Sequence, residues 1–319
     1  MRINLVGFGT ALPEPEDSLE PISSDLLKVR RIAGKPMMNR GTLLTMHSLM
    51  DLLERQDFDD QDYLKNIDAF HFGTGPIFLD PRVWEALSPI TQDGDTSSCY
   101  NWEKLPPLIP KLPPLAGIKS LATASCHFAA CGYQSHGSGN PWDTADQCGL
   151  QALVASYLNL RMGIEKRSLV GASFSPKSET GPRFLPGNGN SEGAICCLLD
   201  TQQDTESGIQ VSHAWTSQLS ETENEQVQDY SAHIEILRDL SPLDAHSMLA
   251  VGHTLPDKYR RWITEKFPKM VIEERYPLTR FGPLAGLLGV RLATTMSSGS
   301  IWIHSYLPGH GIHSVVVQH

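Results

Sequence analysis

The chain is 319 residues long, enough for one large domain or two fused ones with a substantial core. Its 40% hydrophobic and 19% charged residues suit a folded globular protein, and a formal net charge of −10 argues against nucleic acid or an anionic membrane as partner, because both select a basic face. There is no apolar run of about eighteen residues to span a membrane, and the six cysteines show no paired C-x-x-C spacing for zinc. They read as buried thiols, and no metal and no cofactor is expected.

The opening MRINLVG lacks the charged, apolar and small-residue succession of a secretion signal and reads as a buried strand, which points to the cytoplasm. Residues 3–6 are the strand and 7–13 a glycine-loosened loop. GFGTAL lacks a third glycine and runs into Pro13 rather than a helix, so a dinucleotide fingerprint is weak here. Residues 37–53 read as a helix, with Leu43, Met46, Leu49, Met50 and Leu53 at helical spacing. His47, beside that stripe, reads as a satisfied structural residue. Residues 67–74 form a strand. The proline-dense stretch 92–114 reads as an extended surface loop in preference to a polyproline ligand.

Residues 115–133 are rich in small residues suited to close helix packing. Within them Cys126 stands next to His127, but neighbours on a helix point apart and cannot act as a catalytic pair. The stretch 137–172 then reads as an extended segment, a tight turn centred on Asp146, a helix to about Met162, a glycine stop at Gly163 and a buried strand at 168–170. A side chain at such a turn sits at a helix N-terminus, where negative charge is favoured. Asp146 has a plain explanation as a helix N-cap, and Cys148 falls one turn into the helix.

Further along, the glycine-rich run 186–194 feeds a strand at 195–200, and Glu192 beside the glycines is read as holding loop N–H groups. Another strand covers 208–215, followed by an acidic, solvated stretch at 217–229. Gly252-His253-Thr254 precedes a basic helix at 257–267. There Lys258, Arg260, Arg261 and Lys266 could receive an acidic protein, though a charged helix face is more often merely solvated. Residues 280–289 start a glycine-punctuated helix, where Pro283 in the first turn forfeits no needed hydrogen bond. Strands at 301–305 and 314–318 flank a loop holding His310 and His313.

Several of these segments, in this order, resemble the β-ketoacyl synthases of the thiolase-like superfamily. Trp142-Asp143-Thr144-Ala145-Asp146-Gln147-Cys148-Gly149 is similar to V-D-T-A-C-x-S/T-G, in which the fifth residue is the acyl-accepting cysteine; here it is Asp146. Ser191-Glu192-Gly193-Ala194 resembles the G-E-G-A element, and His253 falls near the first catalytic histidine of H-G-T-G-T. Pro283 stands where K-x-x-x-G-H carries the second, and the terminal loop resembles G-F-G-G-x-N. The resemblance implies an α/β thiolase-like fold of two related halves with sheets layered between helices (αβαβα). Residues 1–205 would form the N-terminal half with the degenerate nucleophile elbow and 206–319 a shortened C-terminal half.

With Asp146 in place of the thiol and Pro283 in place of an imidazole, acyl transfer and enolate stabilisation each lose a required group. The resemblance therefore implies a catalytically silent, chain-length-factor-like subunit with no catalytic residue of its own. It would pair with an active β-ketoacyl synthase in polyketide, aryl-polyene or fatty-acid-like biosynthesis and meet the acyl carrier protein through that partner. Strand pairing at 139–143 would join the two. The alternative is a stand-alone acyltransferase or thioesterase using Cys148 or Cys126 as nucleophile with His253 as base, and a homodimeric acyl-thioester binder is a third reading.

Overall fold

The computed structural model describes residues 2–13, 22, 38–56, 65–74, 106–112, 121–142, 145–175, 191–202, 208–217, 245–296, 299–307 and 311–319. The glycine-rich run 186–190, the acidic stretch after Ser217, His310 and most of the proline-dense loop lie outside them.

Among the described residues ten strands make one sheet in the order β3-β2-β4-β5-β1-β6-β10-β9-β7-β8. The first half contains β1 (Asn4–Ala11), β2 (Ala69–Thr74), β3 (Ser138–Trp142), β4 (Arg167–Phe174) and β5 (Gly193–Asp200). The second contains β6 (Gln210–Ser217), β7 (Ala245–Gly252), β8 (Val271–Glu274), β9 (Ser300–Leu307) and β10 (Gly311–Gln318).

Renumbering each half from its own first strand gives 3-2-4-5-1 twice, back to back. In both, strand 1 pairs antiparallel with 5 and 5 with 4, whereas 4 pairs parallel with 2 and 2 with 3. The halves are therefore related by repetition of one topology. They join where Asn4 faces Gln210, through Leu5 N–H to Ile209 O at 3.0 Å and Val211 N–H to Ile3 O at 2.9 Å. We propose 205/206 as the division, within the connection between β5 and β6.

Among the described residues five α-helices complete the layers: α1 (Arg40–Gln56), α2 (Ala124–Tyr133), α3 (Cys148–Arg161), α4 (Asp257–Lys266) and α5 (Ala285–Thr295). Leu49 and Leu52 of α1 with Phe128 and Ala129 of α2 pack on Phe70 and Phe72 of β2, forming one outer layer. Tyr259 and Ile263 of α4 pack on Trp215, Met248 and Trp302, forming the opposite one. Between the two halves of the sheet lie α3 and α5, where Leu150, Leu153, Leu287 and Val290 meet Ile195 and Leu199 from one half and Ile303 and Val315 from the other. A helix touched on both sides must be apolar nearly all round. Accordingly, nine of the fourteen residues of α3 are buried.

The expected glycine loop after the first strand is instead part of it, since β1 runs through Gly7 and Gly9. A Cβ on Gly9 would collide with the Ser48 carbonyl and Leu52 of α1. These glycines serve close helix approach, not a turn. The buried face of α1 is displaced from the expected stripe: Leu44 and Leu52 are buried beside Met46 and Leu49, whereas Leu43, Met50 and Leu53 are half-buried. The short strand β8 was not foreseen. The glycine stop does occur: Gly163 has φ +73°, and Ile164 N–H reaches back to Asn159 O at 3.0 Å.

Candidate functional site

Asp146 lies in a single 3-10 turn, Ala145–Gln147, between the carboxyl end of β3 and α3. The residue at the cap of α3 is Gln147, which makes no side-chain cap bond, so the N-cap explanation of Asp146 is not realised. His253 follows the carboxyl end of β7, where Gly252 turns the chain at φ +91°. Both residues thus sit beyond the carboxyl ends of parallel strands, one from each half, the edge at which open α/β sheets place their sites.

The third contributor is the 3-10 segment Tyr276–Leu284, kinked at Gly282 with φ +49° and ψ −117° before it runs into α5. A Cβ on Gly282 would lie 3.0 Å from Asp146 Oδ1, and one on Gly149 would strike the Pro283 carbonyl. Two glycines therefore let this segment lie against the elbow. Asp146 and His253, far apart in sequence, converge, and the segment carrying Pro283 lies against the elbow.

Their spacing is set by β9. Gln147, 1% exposed, donates Nε2–H to Ser305 O at 2.9 Å and to Gly311 O at 3.2 Å, and the backbone N–H of His253 donates to Tyr306 O at 3.0 Å. The elbow and the histidine loop hang on consecutive carbonyls of one strand. Gln147 is the residue the sequence reading missed, and no motif marks it. Gln147→Leu keeps the volume but unpairs both carbonyls, so urea unfolding is expected to show a loss of about 2 kcal/mol. A loss under half that would mean the tether is dispensable.

His253 Nε2 lies 3.9 Å from Asp146 Oδ2, with the side chains 30% and 11% exposed respectively. That is an ion-pair distance, too long for a hydrogen bond. Burial pushes the Asp146 carboxyl up to about 6 and holds the His253 imidazole below its ordinary value. A persistent charged pair would shift both the other way. Desolvation wins, so at neutral pH a carboxylate faces a neutral imidazole.

Neither candidate nucleophile is an exposed thiol. Cys126, 3% exposed on α2, belongs to the outer core of the first half; its thiol donates to Phe70 O at 3.6 Å, and burial pushes it up to about 12. Its neighbour His127 points outward beside Cys131, as helix geometry requires. Cys148, fully buried, opens α3 beneath Gly73, whose Cβ would meet the Cys148 backbone at 2.5 Å. His313 hydrogen-bonds Thr216 at 2.8 Å inside the sheet, and Arg260 of the basic helix is ion-paired with Glu274. Among the described residues no group of three or more His, Cys, Asp or Glu could hold a metal, and no helix is long and apolar enough to cross a membrane.

Behind the elbow, Glu192 is 2% exposed. It accepts Arg40 Nε–H at 2.6 Å and Nη2–H at 2.5 Å, Ser175 Oγ–H at 3.2 Å and the Ile22 N–H. Its predecessor Ser191 donates N–H to Arg280 O at 2.9 Å, tying this knot to the segment that carries Gly282 and Pro283. The structural role read for Glu192 is what the contacts show.

No protein-family model matches the sequence, and no curated protein matches it. Solved structures do match in shape. A type II PKS acyl-carrier protein in complex with its ketosynthase bound to the hexaketide aligns with a TM-score of 0.74 at 14% identity, over 99% of each chain. The ishigamide ketosynthase/chain length factor gives 0.65 at 13%, over 100% of this chain and 99% of that one. A ketosynthase in complex with its chain length factor from Xenorhabdus doucetiae gives 0.61 at 13%, over 99% and 98%. The fold is that of the ketosynthases, thiolase-like and α/β, and it extends over the whole chain.

Proposed function

We propose that this chain is a ketosynthase-like subunit of chain-length-factor type, silent in carbon–carbon bond formation, that pairs with an active β-ketoacyl synthase in polyketide, aryl-polyene or fatty-acid-like biosynthesis. The observation that carries this reading is the meeting of Asp146 and His253 in a ketosynthase fold, with the segment carrying Pro283 laid against the elbow. A carboxylate stands in the thiol's seat, and proline in an imidazole's. A carboxylate there would also repel the enolate that condensation must stabilise. The partners named for similar structures, a chain length factor with its ketosynthase and a carrier protein with its ketosynthase, support the pairing.

The edge at which a partner would add is β3, the terminal strand of the sheet, with three of its five residues half-buried and two exposed. Beside it runs a groove of about 490 Å³ lined by Leu121, Thr123, Cys126, His127, Phe128 and Gly139. Unpaired strand edges are ready templates for a second chain. The acyl carrier protein would then be met through the partner, and a cytoplasmic setting fits that chemistry.

Native mass spectrometry of the chain co-expressed with a candidate ketosynthase tests this. A 1:1 complex, with no condensation by this chain alone, is expected; condensation by the isolated chain would overturn the reading. A second test addresses the seat itself. In a Cys99→Ser/Cys131→Ser background, Asp146→Cys is expected to react with iodoacetamide at least ~100-fold faster than Cys126, Cys196 or Cys197, because burial holds Cys126 and Cys196 near 12 and pushes Cys197 well up. Equal rates would remove Asp146 from any accessible cleft.

A further inference from the structure

A carboxylate and an imidazole set together at an accessible point can do chemistry that needs no thiol. We infer that Asp146 and His253 form a dyad that hydrolyses acyl thioesters, with water as the acyl acceptor. The substrate class rests on the reading proposed above; the dyad rests on its own geometry.

Several observations carry it. The two residues come from different halves and are fixed by backbone and amide bonds to adjacent carbonyls of β9, so their mutual position is built in and not an accident of two surface side chains. Asp146 Oδ2 faces His253 Nε2 at 3.9 Å, near enough to stabilise positive charge on the ring without a hydrogen bond, and Nδ1, the ring nitrogen away from the carboxylate, serves as the base. His253 is 30% exposed, so that base can meet water, whereas Asp146 at 11% is set back behind it. Burial also holds the His253 imidazole below its ordinary value, so the ring is neutral at pH 7 and able to take a proton. Cys126 belongs to the outer core and Cys148 is fully buried, so water is the nucleophile left.

In the step, His253 Nδ1 takes a proton from water as its oxygen bonds to the thioester carbonyl carbon. Asp146 stabilises the imidazolium so formed. The C–S bond then breaks and the imidazolium proton goes to the leaving sulfur, giving one carboxylic acid and one thiol with no change of oxidation state. Such a subunit would clear acyl groups that the paired synthase has failed to extend.

The test uses the full chain, alone and in complex with its ketosynthase, with acetyl- and octanoyl-N-acetylcysteamine thioesters and thiol release as the readout. Turnover above the buffer rate is expected, carrying one oxygen from labelled water into the released acid. It should fall at least 10-fold in both His253→Gln and Asp146→Asn and stay unchanged in Cys126→Ser. Thermal unfolding of each variant separates loss of the dyad from loss of the fold. Thiol release at the buffer rate by the folded chain in both states, activity surviving both dyad substitutions, or activity lost in Cys126→Ser would each overturn the inference. Because native mass spectrometry reports pairing independently, a chain that hydrolyses without pairing refutes only the partner reading, and one that pairs without hydrolysing refutes only the dyad.

Discussion

Asp146→Asn is expected to make the protein more stable at pH 7.5, by about 3 kcal/mol, and to make no difference below pH 4. The carboxyl titrates at about 6 in the folded chain because burial opposes its charge, against an ordinary value of 3.8. A carboxyl whose folded value lies above its unfolded one destabilises the fold when ionised. The penalty is absent below 3.8, accumulates between 3.8 and about 6, and is constant above. At about 1.4 kcal/mol per pH unit, the gap amounts to roughly 3 kcal/mol. The amide has nearly the same shape and escapes the penalty at every pH. Urea unfolding of both proteins from pH 3.5 to 8 checks this, and a difference independent of pH would show that Asp146 is not desolvated. If the same substitution abolishes thioester hydrolysis, stability and chemistry trade against each other at one residue, as they do where a strained group is kept for its function.

How much of this site could be read beforehand depended on what each residue answers to. Gly163 was legible because a C-terminal glycine responds to the helix it ends. Gly7 and Gly9 were misread because their reason, the crossing of α1 at Ser48 and Leu52, lies some forty residues away and leaves no local trace. Strand β8 was missed because Val271-Ile272-Glu273-Glu274 is short and half-exposed, with no alternation to mark it. The nearness of Asp146 and His253, and of the segment carrying Pro283 to the elbow, was readable only through ordered resemblance, since spacing along the chain says nothing of convergence. Gln147 was not readable at all. Its partners are backbone carbonyls, which any sequence at 305 and 311 would supply.

Glu192→Ala is expected to cost at least as much as Asp146→Asn gains, about 3–5 kcal/mol, the range for removing one member of a buried ion pair. Arg40 leans on this carboxylate enough that their hydrogen bonding raises its own proton affinity. The Arg40 side chain is 26% exposed and can recover some water, which puts the result toward the lower end. The Ile22 N–H and the Ser175 hydroxyl, both on buried residues, lose their acceptor as well. Glu192→Gln, which retains an oxygen for one donor but not the charge, should lose about half as much.

The effect should not stop at stability. Ser191 next door holds Arg280 O, and through it the kinked segment that presses Gly282 against Asp146. With the knot loosened, Asp146 gains water and its carboxyl moves down toward 3.8, so the pH-dependent advantage of Asp146→Asn should shrink in the Glu192→Ala background. Measuring the four proteins of that cycle at pH 7.5 decides the matter: additive free energies would mean that the loop-holding carboxylate and the elbow carboxylate do not sense each other.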